Sequence, residues 1–192
     1  MKVKYLGHSC FVVNDNDYSI VLDPYKGVRG FKDINLEANE VICSHSHFDH
    51  AYTDEIKLIN KESPFKVSRI KVFHDDKKGT LRGENYITVL ESNGKRIVHL
   101  GDLGHMLDKD IIDELIEVDV LMIPVGGFYT IGPDIANRIV EEMKPKYIIP
   151  MHYKDGDKGL DVLKTVEDFI NIYKGNKESL KLVKGYDKEI DI

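Results

Sequence analysis

Residues 45–50 read His-Ser-His-Phe-Asp-His, and such a run directly behind a short apolar strand leaves a chain few ways to fold. Three imidazoles and a carboxylate within six positions, in a chain with only 8 histidines among 192 residues, are too concentrated for chance scatter and too polar to pack as core. The preceding Glu40-Val41-Ile42-Cys43 predicts a strand, so the run falls where that strand ends and the chain turns. A strand terminus can aim several side chains at one point. Neutral imidazole and carboxylate are the ligands a borderline cation such as zinc accepts. The alternative reading of the run is a solvated polar loop.

Three more apolar or β-branched runs end in the same residue types. Lys71-Val72-Phe73 leads into His74-Asp75-Asp76, Arg96-Ile97-Val98-His99-Leu100 into Gly101-Asp102-Leu103-Gly104-His105, and Tyr147-Ile148-Ile149-Pro150 into Met151-His152-Tyr153. In layered α/β folds ligands gather at the carboxyl ends of strands, so four such ends predict one shared site.

Strands are expected near 2–6, 11–14, 18–22 and 41–44, then near 85–91, 95–100, 120–124 and 147–150. Asn14-Asp15-Asn16-Asp17 makes the first hairpin turn and Asn93-Gly94 the second. Helices fit 109–117, 133–143 with Pro133 in its first turn, and about 160–173. Strands followed by strands alternating with helices, twice over, suit two packed sheets with helices outside. With 42% hydrophobic and 31% charged residues, the chain is expected to form one domain over 1–192.

Cys10 and Cys43 both fall in apolar runs and read as small buried hydrophobes, not as a disulfide. The N-terminus enters a strand at once, without a signal peptide's apolar core, and no stretch reaches the roughly 18 apolar residues of a membrane span, so a cytoplasmic protein with no membrane partner is expected. With 27 Lys+Arg against 33 Asp+Glu and a net charge of −6, no nucleic-acid partner is expected. Nothing in the sequence sets the oligomeric state.

Together with Gly7-His8-Ser9-Cys10-Phe11, Leu22-Asp23-Pro24 and Ile123-Pro124-Val125-Gly126-Gly127, these motifs resemble the metallo-β-lactamase-fold hydrolases over nearly the whole length. The small zinc-dependent branch related to the ascorbate-6-phosphate lactonases is the nearest in pattern. The resemblance implies an α/β fold, a four-layer αββα sandwich. It also implies two divalent metal ions, Zn2+ before Mn2+ or Fe2+, one held by His45, His47 and His74 and the other by Asp49, His50 and His152, with Asp102 bridging. It further implies hydrolysis by a hydroxide between the ions. Two divalent ions set against two carboxylates and a hydroxide leave about +1 in the pocket, which favours a small anionic ester, lactone or phosphodiester.

Asp49 is expected to bind a metal and orient the attacking water. His8, in a Gly-His-Ser turn, is expected to face substrate, and His105 to protonate the leaving group. Asp23 is a candidate partner for a ligand histidine, or else part of an Asp-Pro turn, and His99 reads as a satisfied buried histidine. Arg82 and Lys154 are candidate clamps for an anion, and Tyr129 and Thr130 candidates for the pocket mouth. The missing late cysteine ligand argues against antibiotic hydrolysis. An iron-dependent redox enzyme on the same scaffold, or a non-catalytic metal-binding regulatory domain, are the other readings.

Overall fold

The computed structural model describes residues 1–181 and 189–192. Strands β1 (Lys2–Gly7), β2 (Cys10–Asp15), β3 (Tyr18–Leu22), β4 (Leu36–Ala38), β5 (Glu40–Ile42), β6 (Ile56–Leu58), β7 (Lys66–Phe73), β8 (Glu84–Ser92) and β9 (Lys95–His99) come first. Helix α1 (Lys109–Glu114), β10 (Val120–Pro124), α2 (Pro133–Met143), β11 (Tyr147–Met151), α3 (Val166–Ile172) and β12 (Glu189–Asp191) follow.

The strands form a five-stranded sheet of order β12-β1-β2-β3-β5, a second of order β11-β10-β9-β8-β7, and a small pair β4-β6. Alternation in Lys2-Val3-Lys4-Tyr5 sends Val3 and Tyr5 to one face of β1. The uninterrupted Val120-Leu121-Met122-Ile123 of β10, buried throughout, marks a central strand with parallel neighbours on both sides. Asn93 and Gly94 both take positive φ, 49° and 70°, which closes the tight β8–β9 hairpin between Ser92 and Lys95.

Val3, Phe11, Val13, Ile20 and Leu22 of the first sheet interlock with Leu90, Ile97, Met122 and Ile149 of the second, so the two sheets share an apolar layer. The other face of the second sheet packs Val98, Leu121 and Ile148 against Ile112 of α1, Ile139 and Met143 of α2, and Phe169 of α3. On the outer face of the first sheet, Cys10, Val12 and Val21 are covered by Tyr25, Val28 and Ile34 from the 24–39 loop and by Ala38 and Ile56. That outer layer holds no helix among the described residues. On this side of the α/β sandwich a loop and two short strands form the outer layer.

The helix α2 matches its expected bounds, whereas α1 ends at Glu114 and α3 begins only after Thr165. Asp168 accepts a hydrogen bond from the Thr165 backbone at 2.8 Å and so fixes that later start.

Asp119, buried at the start of β10, accepts from the Arg96 backbone N–H at 2.9 Å and from Lys146 Nζ at 2.7 Å. Burial pushes its pKa up, but the Lys146 hydrogen bond and the Arg96 N–H outweigh that and hold it below the ordinary value. A carboxylate depressed in the folded state adds stability above its unfolded pKa, about 3.9, and loses that contribution as the pH falls through the folded value. Asp119→Asn is therefore expected to be less stable than the parent at pH 7, with the gap closing below about pH 4. Urea denaturation at the two pH values reads the difference, and an equal gap at both would refute it.

Candidate metal centre

Five strand ends and one turn build the centre, His74 following directly on Phe73 at the end of β7. Strand β1 ends at Gly7 and His8 follows at φ 53°; β3 ends at Leu22 and Asp23 follows at φ 45°; β11 ends at Met151 and His152 follows at φ 51°. Left-handed backbone at a non-glycine residue costs about 1–2 kcal/mol, so three such kinks along one edge mark conformations held by their surroundings. After β9 the same turn falls on Gly101, at φ 56°, where a Cβ would collide with Asn85 and Ser44. Between β5 and β6 the His47 carbonyl accepts from the N–H groups of His50, at 2.9 Å, and Ala51, at 3.0 Å. That tight turn folds His45, His47, Asp49 and His50 around one point.

His45, His47 and His74 bring ring nitrogens within 4.8 Å of one another, and His8, Asp49, His50 and His152 form a second such group. Asp102 lies between them. Its Oδ1 is 3.3 Å from His50 Nε2, and its Oδ2 is 3.2 Å from both His74 Nε2 and His152 Nε2. One carboxylate therefore touches a histidine of the first group and two of the second. Asp23, His45 and His50 form a third close set, but the Asp23 oxygens are already engaged. Asp23 Oδ1 accepts from Ser44 N–H at 2.6 Å, and Oδ2 from Ser44 Oγ at 2.6 Å and His50 Nδ1 at 2.8 Å.

Electrostatics divides the histidines. Burial, then the neighbouring His152, pushes His8 down to about 4, and burial, then His50, pushes His45 down to about 3. Burial also lowers His47. These rings are neutral at pH 7 and keep a lone pair to offer. Burial lowers His50 too, but the nearby Asp102 charge and the hydrogen bond to Asp23 outweigh it and raise His50 well above the usual range. Burial would raise Asp102, yet His152 and His50 hold it well below the carboxylate range. Asp49 is likewise held low, against burial, by His8 and His50.

The residues fit a cation. His45 Nε2, His50 Nε2, His74 Nδ1, His152 Nδ1 and Asp102 Oδ1 are buried without a hydrogen-bond partner. An orphaned buried polar group costs about 1–3 kcal/mol, and a cation among the imidazoles and carboxylates offsets that cost. Neutral imidazole with carboxylate is a donor set for zinc, manganese or iron.

The structure thus gathers His45, His47, Asp49, His50, His74, Asp102 and His152, while His8, expected to face substrate, is buried off the cavity lining with its Nε2 3.2 Å from Asp49 Oδ2. It does not gather His105. There Nε2 accepts from the Phe73 N–H at 3.2 Å and Nδ1 donates to the Met106 carbonyl at 2.7 Å, so the proton-donor role expected of His105 has no free nitrogen. Lys154 pairs with Asp161 at 2.9 Å, a surface contact in place of an anion clamp. His99 is buried and satisfied by Ser9 O and the Gly101 N–H.

Two positioning residues escape a reading of the sequence. Buried Asn85 accepts from the Asp102 N–H at 2.9 Å and donates to Leu100 O at 2.8 Å, holding the Asp102 loop in place. Asp75 accepts four backbone N–H groups, from Lys77, Gly79, Leu81 and Arg82. Its position directly after His74 is the one signal that could have pointed to it.

A cavity of about 540 Å³ opens on the cluster, lined by His47, Asp49, His74, Asp102 and His152 and walled by Phe48, Arg82, Tyr129 and Leu160. Thr130 is buried behind Tyr129, its hydroxyl on the Ile131 carbonyl.

Residues 2–152 match the β-lactamase superfamily domain. A protein named as a metal-dependent hydrolase from Desulforamulus reducens is 29% identical over 193 residues, covering 80% of this chain and 84% of its own length. One of the same name from Korarchaeum cryptofilum is 29% identical over 190 residues, with 80% and 83% covered. A solved structure of a metallo-β-lactamase superfamily member from Thermotoga maritima is 33% identical, with a TM-score of 0.72 over 91% of this chain and 86% of that one.

Proposed function

The chain belongs to the metallo-β-lactamase superfamily, and from that premise we propose that it is a hydrolase that works with two divalent metal ions and cleaves a small anionic ester, lactone or phosphodiester. The observation that carries the two-ion reading is the position of Asp102, within 3.3 Å of His50 and 3.2 Å of both His74 and His152. In this reading His45, His47 and His74 would hold one ion and Asp49, His50 and His152 the other, with Asp102 in reach of histidines of both groups.

What divalent ions supply when bound is a water acidified towards a pKa of about 7 and an electrophile for the oxygen of the attacked group. The remaining work belongs to the side chains. Asp23 accepts a hydrogen bond from His50 Nδ1–H, which orients the ring and would leave Nε2 as the atom turned towards an ion. His8 donates through Nε2 to Asp49 and keeps that carboxylate oriented and ionised. Asp49 lines the cavity, so its carboxylate is the group placed to accept a proton from an attacking water. Phe48, Tyr129 and Leu160 give the cavity an apolar rim.

Zinc is the favoured ion, and metal analysis of the native protein separates this reading from iron redox chemistry, which zinc cannot support. Chelated protein titrated with Zn2+ is expected to bind about two equivalents and to regain hydrolysis of a chromogenic ester or phosphodiester in step with occupancy. Asp49→Ala is expected to lose turnover and part of the bound metal while its circular dichroism stays that of the parent. Hydrolysis that survives full metal removal would sink the proposal.

A further inference from the structure

Arg82 is the cation of the cavity wall, and it is held there by unusual means. Its backbone N–H donates to Asp75 Oδ2 at 2.8 Å, within the cage of four N–H bonds that ties the 77–82 segment to a buried carboxylate beside His74. The loop is closed a second time where His74 N–H donates to the Gly83 carbonyl at 3.1 Å and Gly83 N–H to the Gly79 carbonyl at 3.0 Å. The guanidinium lies 5.5 Å from the centroid of the Tyr129 ring, and no carboxylate pairs with it among the described residues. Arg29 and Arg96, by contrast, each have a carboxylate partner.

A second cavity of about 430 Å³, reaching to Arg69 and Tyr86, shares Ser46, His47 and Arg82 with the first. Arg82 therefore stands where the cavity over the candidate metal ligands meets the second cavity. A guanidinium 5.5 Å over an aromatic ring, on a tied-down loop and without a carboxylate partner among the described residues, is arranged to take an oxyanion in bidentate fashion.

We propose that Arg82 is the specificity-determining residue: it receives a carboxylate or phosphate group of the substrate at a point away from the bond that is broken, while the substrate's apolar body rests on Phe48, Tyr129 and Leu160. This rests on the hydrolase reading and narrows it to esters that carry a separate anionic group.

Two 4-nitrophenyl esters test it on metal-loaded protein, the neutral acetate and the hydrogen succinate, whose free carboxylate lies remote from the ester. Arg82→Gln is expected to cut the succinate-over-acetate ratio of kcat/KM by about 10- to 100-fold, the loss lying in KM, and Arg82→Lys to restore only part of it because a point charge replaces a fork. An unchanged ratio overturns the proposal.

Calorimetric titration of the same proteins with succinate and with inorganic phosphate reads the anion site without turnover. A roughly tenfold weaker affinity in Arg82→Gln for one of them is expected and says which oxyanion the site takes. Equal affinities for both overturn it. Should neither ester be hydrolysed while the Arg82-dependent affinity persists, the reaction is wrong and the anion site stands.

Discussion

Asp102→Asn is expected to abolish turnover and to lower bound metal below that of the parent, although it removes only a charge. The carboxylate sits within 3.3 Å of His50 and 3.2 Å of His74 and His152, and its negative charge is the largest influence raising the affinity of His50 for positive charge. The backbone would not change. Asn85 holds the residue through its main-chain N–H, which the substitution keeps. Loss of a hydrogen-bond partner behind a metal ligand costs about 10–100-fold, and loss of a carboxylate facing both groups is expected to exceed that. Kinetics and elemental mass spectrometry on the purified variant measure both effects. Parental metal content together with parental kcat/KM would remove Asp102 from the centre.

Asp23→Asn tests the layer behind the ligands. Asn tolerates the left-handed backbone at this position as Asp does, so the strand end is expected to survive. An amide cannot accept from all three donors that now converge there, the Ser44 N–H, the Ser44 hydroxyl and His50 Nδ1. At least one donor stays buried and unpaired, at about 1–3 kcal/mol. His50 also loses the group that fixes its tautomer. The expected result is a 10- to 100-fold loss of metal affinity and activity, larger in metal affinity than any change in fold stability would explain. Competition with a chelator of known affinity and urea denaturation separate the two contributions. Unaltered metal affinity would reduce Asp23 to a turn residue.

The sequence carries the cluster best where ligands are adjacent. His45 to His50 stand next to one another, so a single strand end and one tight turn suffice to gather them. His74, Asp102 and His152 were legible because each follows an apolar run, the same rule applied three times. The supporting residues were not legible in this way. Asn85 acts on Asp102 across 17 positions and Asp75 acts through backbone N–H groups, and neither leaves a periodic or compositional trace. His105 misled because a histidine in a loop after Asp102 looks available, whereas the fold spends both its nitrogens on backbone. Lys154 misled in the same way, its partner Asp161 being set by a loop with no pattern.

The fold shows a similar division. Strands with strong alternation or continuous burial and α2, with Pro133 in its first turn, follow from local sequence. The three-residue strands β4, β6 and β12 depend on partners elsewhere. The register of β12 against β1, Lys2 opposite Asp191, joins the two ends of the chain and has no local signal.

The ligand groups do not come from one sheet. His8 and the 45–50 turn extend from β1 and β5, while His74, Asp102 and His152 extend from β7, β9 and β11 of the other sheet. Cations held among them would rivet the halves of the sandwich along one rim. Whatever binds the folded state alone adds RT ln(1 + [L]/Kd) to its stability, so the resistance of this protein to unfolding becomes a gauge of the metal supply around it.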